Sequence, residues 1–259
     1  MSDFLNKLFS LEGQVAVVIG GTGVLGGELS AGLSQAGASI VVAGRNAERG
    51  EERVAAIKKL GGTATFAAVD AADRASVQAL LATVTKQHGR VHTLVNCAGV
   101  NSSTPYFEIG DEEFQRIVNT NLLATHLGCQ VFGKHMIDSG GGAILNIGSV
   151  SSDRPLSRVF IYSASKAAVL NLTRNVAREF APHGVRVNCL CPGFFPAEQN
   201  RKILDKTRVE NILRHTPMGR LGNAPELLGA ALLLVAPNAG SFITGEAIYV
   251  DGGFTSMTI

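Results

Sequence analysis

The stretch "QVAVVIGGTGVLGG", residues 14–27, sets an apolar run directly against a turn made almost only of glycine. The first six residues, 14–19, are short, β-branched and apolar, as a strand buried on both faces should be. A helical pattern follows over 25–36, so the glycines occupy a strand-to-helix turn. The same alternation continues along the chain. Further strands are predicted at 39–43, 64–69, 91–96, 143–148, 185–190 and 246–251. Helical stretches lie between them near 46–60, 73–88, 111–137, 157–181 and 224–236. Apolar strands separated by helices give a doubly wound parallel α/β sheet with helices on both faces. No linker, repeat or low-complexity segment interrupts it, so residues 1–259 are expected to form one domain. The least regular segment, about 192–222, is expected to be a lid over a site.

Composition sets outer bounds. With 46% hydrophobic and 17% charged residues, the chain can bury a sizeable core and is not disordered. A net charge of +2 argues against a nucleic-acid surface. Cys97, Cys129, Cys189 and Cys191 form no CxxC pair and have no histidine at metal-ligand spacing. They read as buried free thiols in a reducing compartment, with no metal site. The N-terminal "MSDFLNKLFSLEGQ" lacks both a basic start and a long apolar run, so neither a signal peptide nor a membrane span is expected. A cytoplasmic location follows by default.

Gly21, Gly23 and Gly26 fit the pattern GxGxxG in its strand–turn–helix context. Glycine there permits a tight turn and close approach of a pyrophosphate, while the helix start offers unpaired N–H groups. At the end of the second strand stand Gly44, Arg45 and Asn46, with no acid to hold a ribose 2′-hydroxyl. Arg45 could pair with a 2′-phosphate, which favours NADP(H) and leaves NAD(H) possible. Asp70, after the third strand, could receive an adenine amino group or be a helix N-terminal acid.

In "FIYSASKAAV", residues 160–169, Tyr162 and Lys166 stand four apart and share a helix face. A phenol with a pKa of about 10 is a poor acid–base catalyst near neutrality, and an adjacent cation favours its ionised form. Ser149, thirteen residues earlier in "LNIGSVSS", falls at the C-terminal end of a strand, where sites in parallel sheets form.

The glycine turn, "NCAG" at 96–99, "NTNLL" at 119–123, Ser149, Tyr162–Lys166 and "CPG" at 191–193 occur in one order. So arranged, the chain resembles the short-chain dehydrogenase/reductase family over essentially its full length. The resemblance implies a seven-stranded Rossmann-type sheet, a nicotinamide cofactor and a homo-oligomer, a dimer or tetramer. It implies that Tyr162 moves a proton, Ser149 holds the substrate oxygen, and Lys166 binds the nicotinamide ribose and lowers the tyrosine pKa. Asn121, with Asn119 as competitor, would hold a water in a proton relay. Cofactor contacts implied are Gly20, Gly21, Thr22, Gly23, Leu25, Gly26, Arg45, Asn46, Asp70, Ala71, Asn96, Ala98, Gly99, Tyr162, Lys166, Pro192, Gly193 and Phe195. Ile19, Val24 and Ala197 depart from residues usual in the family.

The segments "PGFFPAEQNR", "HTPMGRLG" and "VDGGFTSMT" look like a sugar-acid branch of that family, the D-mannonate oxidoreductases or fructuronate reductases, with gluconate 5-dehydrogenases as neighbours. A small sugar acid or polyol is therefore the expected substrate, interconverted between secondary alcohol and ketone. Its carboxylate and hydroxyls would need an arginine and amides. Candidates are Arg154, Arg158, Gln199, Asn200 and Arg201. The alternatives are a 3-oxoacyl carrier-protein reductase, and a non-catalytic dinucleotide-binding sensor or scaffold.

Overall fold

The computed structural model of the chain describes residues 3–196 and 206–257. Seven strands form its sheet: β1 (Val15–Ile19), β2 (Ser39–Gly44), β3 (Ala64–Ala68), β4 (Thr93–Asn96), β5 (Gly142–Ile147), β6 (Val185–Pro192) and β7 (Ala247–Val250). All pair in parallel, in the order β3-β2-β1-β4-β5-β6-β7. This is the doubly wound sheet that the alternating pattern predicts. The helices are α1 (Asp3–Phe9), α2 (Val24–Gln35), α3 (Ala47–Lys59), α4 (Arg74–His88), α5 (Asp111–Val118), α6 (Ala124–Asp138), α7 (Phe160–Phe180), α8 (Lys206–Arg214) and α9 (Leu228–Val235).

Each strand feeds two cores because successive side chains point to opposite faces. On β1, Ala16 and Val18 pack with Leu29, Leu33 and Leu234, from α2 and α9. Val15, Val17 and Ile19 pack on the other face with Leu80, Leu94 and Phe132. Each fully buried Leu, Ile or Phe contributes about 1.5–3 kcal/mol, so both faces are needed to hold the sheet. The winding reverses at β1, which has β2 on one side and β4 on the other. Chains leave these two strands in opposite directions and open a crevice at their C-terminal ends.

Three elements differ from the sequence pattern. The single helix expected over 111–137 is divided: one π turn, Asn119–Leu123, separates α5 from α6. Asn121 lies in that turn, and its side chain is spent on bonds outside the helix, described below. The catalytic-region helix begins at Phe160 and not near 157, because Arg158 adopts a left-handed φ of +66°. The helix expected from 224 opens as a 3₁₀ turn, Ala224–Leu227, with Pro225 in its first positions and Asn223 and Glu226 forming a capping box, before α9 continues. Within the irregular segment 192–222, the described part holds a nine-residue helix, α8.

The N-terminal ends of the central strands β1 and β4, opposite the crevice, are fastened by two half-buried histidines. His92 Nδ1 accepts the Val15 N–H at 3.0 Å, and His135 Nε2 accepts the Val91 N–H at 3.1 Å. Both roles require a neutral ring. Burial first, then the Arg90 charge, lowers both pKa values below the ordinary 6.5. A depressed histidine pKa means that the unfolded chain takes up protons before the folded one. The stabilising contribution is thus full above about pH 6.5 and is lost as the pH falls through the lower folded values. Urea unfolding of the wild type should weaken from pH 7 to pH 5 more than that of a His92→Asn/His135→Gln variant. Those amides keep an acceptor that does not titrate, and parallel pH curves would refute the assignment.

Candidate active site

The crevice is built from backbone at one end and side chains at the other. Gly20 has a φ of +84°, and a Cβ there would lie 2.6 Å from the Ala98 nitrogen. A Cβ on Gly26 would lie 2.3 Å from the Gly20 carbonyl oxygen. The β1–α2 turn can therefore seat itself against the end of β4 only without side chains. Gly23 is the N-cap of α2, no side chain caps that end, and its first turn carries no acid. The positive end of the helix faces the crevice uncovered.

At the other end stand Ser149, Tyr162 and Lys166. Lys166 is 4% exposed, and its Nζ donates to the Ile147 carbonyl at 2.7 Å. It lies 5.8 Å from the centre of the Tyr162 ring, as the four-residue spacing on α7 requires. Ser149 caps a 3₁₀ turn, Val150–Ser152, at the end of β5. Its Oγ accepts from both the backbone N–H and the hydroxyl of Ser151, each at 3.1 Å. A hydroxyl has two acceptor positions and one donor, so Ser149 keeps its O–H to give. Ser152 accepts from the Ser149 N–H and donates to the Lys166 carbonyl at 3.0 Å, which ties the serine turn to α7.

Asn121 is wholly buried. Its Oδ1 accepts the Val100 N–H at 2.8 Å, while Nδ2 donates to the Val100 carbonyl at 3.0 Å and to Ser165 Oγ at 2.9 Å. One side chain thus ties the loop after β4 to α7, from a π turn that places it between them.

A cavity of about 610 Å³ joins the two ends. Of the sequence candidates, Gly20, Thr22, Gly23, Leu25, Gly26, Arg45, Asp70, Ala71, Ala98, Gly99, Ser149, Tyr162, Lys166, Pro192, Gly193 and Phe195 line it. Gly21, Asn46, Asn96 and Asn121 do not. Gly21 is buried beneath the turn, where a Cβ would meet the Val18 carbonyl at 2.9 Å. Asn46 caps α3 by accepting the Arg49 N–H. Asn96 donates to Asn146 at 2.9 Å inside the sheet, and Asn146 donates to Thr173 of α7. Asp70 lines the cavity, while Asp73 caps α4. Cys97 also lines it, but burial pushes its thiol up to about 11, so it stays protonated and unreactive.

A sequence profile described as "Enoyl-(Acyl carrier protein) reductase" matches residues 23–255. The gluconate 5-dehydrogenase of Gluconobacter oxydans is 35% identical, with 96% of this chain and 97% of that protein covered. An uncharacterized oxidoreductase, UxuB, of Bacillus subtilis is also 35% identical over 96% of this chain and 97% of its own length. Among solved structures, a gluconate 5-dehydrogenase from Burkholderia cenocepacia, in complex with NADP and tartrate, superposes with a TM-score of 0.94. It is 33% identical and covers 98% of this chain and all of its own. The chain belongs to the short-chain dehydrogenase/reductase family. It is an oxidoreductase.

In this short-chain dehydrogenase/reductase, sequence reasoning missed two groups of residues. Arg49 and Arg53 line the cavity with Arg45, at successive four-residue steps, and Glu52 lies among them. That spacing was legible in the sequence. Arg53 lies across Gly27 of α2, where a Cβ would stand 2.6 Å from its Nε. The second group lines another cavity, of about 800 Å³, bounded by Pro155–Arg158, Phe194, Phe254 and residues of α8 and His215. Only Arg158 there was a candidate. Arg154 instead pairs with Asp153 at 3.6 Å on the surface. Gln199, Asn200 and Arg201, with Ala197, lie outside the described residues.

The Asn121 clasp has a measurable weight. Asn121→Ala leaves both Val100 backbone groups unpaired and should lower the unfolding free energy by about 2–4 kcal/mol. Urea denaturation at pH 7 measures it, and a loss under about 0.5 kcal/mol, the range of ordinary surface changes, would show the clasp to be dispensable.

Proposed function

We propose that this enzyme is an NADP(H)-preferring dehydrogenase that interconverts a secondary alcohol and a ketone on an open-chain sugar acid or polyol. One observation carries the reading: a single cavity unites the glycine turn and uncapped start of α2 with Ser149, Tyr162 and Lys166. The cradle suits a dinucleotide, because side-chain bulk is excluded where a pyrophosphate would meet backbone N–H groups. Arg45, with Arg49 and Arg53 beside it, fits a 2′-phosphate at the far end. The Burkholderia cenocepacia neighbour, solved with NADP, supports the same preference. A bound nicotinamide supplies or accepts the hydride.

The chain's own residues then manage the oxygen. In reduction, the Tyr162 phenol gives its proton to the carbonyl oxygen as that oxygen gains charge; in oxidation it receives the hydroxyl proton. Ser149, both of whose acceptor positions are filled by Ser151, donates its O–H to the same oxygen and holds it there. Lys166 spends one N–H on Ile147 and keeps two for the cleft, where they suit ribose hydroxyls. Its Nζ, 5.8 Å from the centre of the Tyr162 ring, sets the ammonium and the phenol side by side in the cleft. Asn121 positions Val100 and α7, and its second Oδ1 acceptor position suits a relay water.

The substrate belongs to the sugar acids, as the names of the gluconate 5-dehydrogenase relatives suggest. D-mannonate and fructuronate are the finer proposal within that class. We also assign the segment around α8 as the lid of one domain. The four free thiols fit a cytoplasmic enzyme, and fully exposed Phe107 and Phe242 fit a homo-oligomer that covers them.

Tyr162→Phe should lower kcat by about 10²–10⁴-fold, the usual weight of general acid–base catalysis. NADPH titration should still show binding. The assay follows reduced-nicotinamide absorbance against hexonates, hexuronates and acetoacetyl thioesters, the last to test a 3-oxoacyl carrier-protein reductase. Undiminished turnover in Tyr162→Phe overturns the mechanism. Arg45→Gln should raise the Kd for NADPH about ten- to a hundredfold through loss of a charge-assisted bond, and that for NADH far less. Equal changes for both cofactors would remove Arg45 from cofactor choice.

A further inference from the structure

We infer that the second cavity is the carboxylate subsite of this enzyme, with Arg158 as its central cation and Arg208, Lys206 and His215 around it. The inference rests on the sugar-acid reading and adds to it the residues that choose an acid over a neutral polyol.

Position is the first argument. Phe194 lines the second cavity, while its chain neighbours Gly193 and Phe195 line the first. Arg158 lies four residues before Tyr162, in the loop that enters α7. The two cavities thus border the same stretch of backbone. The inference places the reacting carbon of an open-chain substrate at Tyr162 and its carboxylate end in the second cavity.

Charge is the second. Four basic side chains, Arg158, Lys206, Arg208 and His215, line this cavity, and no carboxylate does among the described residues. Some cations outside the cavity have local acids, as Lys134 has Asp138, Arg154 has Asp153 and Arg220 has Glu226. Among the described residues, no ion pair involves Arg158 or Lys206. Apolar side chains also line the cavity. Leu156 and Ile212 contribute, and Phe194 meets Phe254 edge to face at 5.0 Å. Arg158, Lys206 and His215 are exposed, and basic groups gathered on one concave surface raise the potential for an anion.

Backbone geometry is the third. Arg158 is the one non-glycine residue with a positive φ among those described, at +66°. That conformation costs about 1–2 kcal/mol. Arg208 Nη2 donates to the Ser157 carbonyl at 2.8 Å, so α8 is fastened to the peptide just before Arg158. This contact sets Arg208 beside the backbone that carries Arg158. The volume, about 800 Å³, admits a hexonate.

The test compares D-gluconate with D-glucitol, which replaces the carboxylate by a hydroxymethyl group, using enzyme saturated with NADP. Arg158→Asn removes the guanidinium but tolerates the left-handed backbone, so it should fold. It should lower the gluconate-to-glucitol ratio of kcat/KM about ten- to a hundredfold, chiefly through KM. Arg158→Lys should restore most of that ratio, and Arg208→Gln should lower it in the same direction. Calorimetric titration of gluconate into the enzyme saturated with NADPH, which cannot accept a hydride, should show the same order without turnover. If the wild type oxidises gluconate and neither variant shifts the ratio by more than about twofold, a change under 0.5 kcal/mol, the subsite falls while the sugar-acid reading stands. If gluconate binds in an Arg158-dependent way but is never oxidised, the subsite stands and the substrate reading falls. If the wild type neither binds nor oxidises gluconate, both fall.

Discussion

The structure depends on one close approach of backbone to backbone. Gly26 of α2 sits so near the carbonyl of Gly20 that a methyl group would overlap it, and Gly20 in turn lies against the Cys97–Ala98 peptide. This contact directs α2 back over the sheet directly after β1. It leaves the start of that helix uncovered, and it brings the end of β4 alongside. Without it the reversal of winding between β2 and β4 would have no crevice at its mouth. Steric exclusion of side chains here shapes the site as much as any polar group does.

Polar groups buried behind the crevice set the positions of those that face it. Asn96, Asn146 and Thr173 run as a chain of hydrogen bonds from β4 through β5 to α7. Asn121 makes a second link between the β4 loop and α7, and Ser152 a third between Ser149 and the backbone of Lys166. Each bond contributes modestly, about 0.5–1.5 kcal/mol, but an unpaired buried partner costs more. The helix that carries Tyr162 and Lys166 is therefore fixed in register against β5 and the turn after it, which Ser149 caps. A proton-transfer site gains from this, because its groups must meet one substrate oxygen within hydrogen-bonding distance.

Much of this was legible in the chain. Apolar strand runs and glycine turns announced the sheet, and the four-residue step from Tyr162 to Lys166 placed both on one face of α7. Less legible was the π turn at Asn119–Leu123, since local periodicity runs through it and only the bonds of Asn121 to Val100 and Ser165 account for it. Asn96, quoted within a motif, turned out to serve the interior of the sheet. Arg154 and Arg158 looked alike in sequence, yet one pairs with its neighbour on the surface and the other lines a cavity.

By itself the sequence determined the strand order's raw material, the glycine positions and the spacing of the phenol, ammonium and hydroxyl. These follow from periodicity and steric bulk, which act over a few residues. Tertiary structure alone decided which basic side chains gather at the second cavity: Arg158 comes from the loop before α7, and Lys206, Arg208 and His215 come from a segment some fifty residues later. Their proximity results from packing α8 against that loop, an interaction between distant parts of the chain that no local pattern encodes.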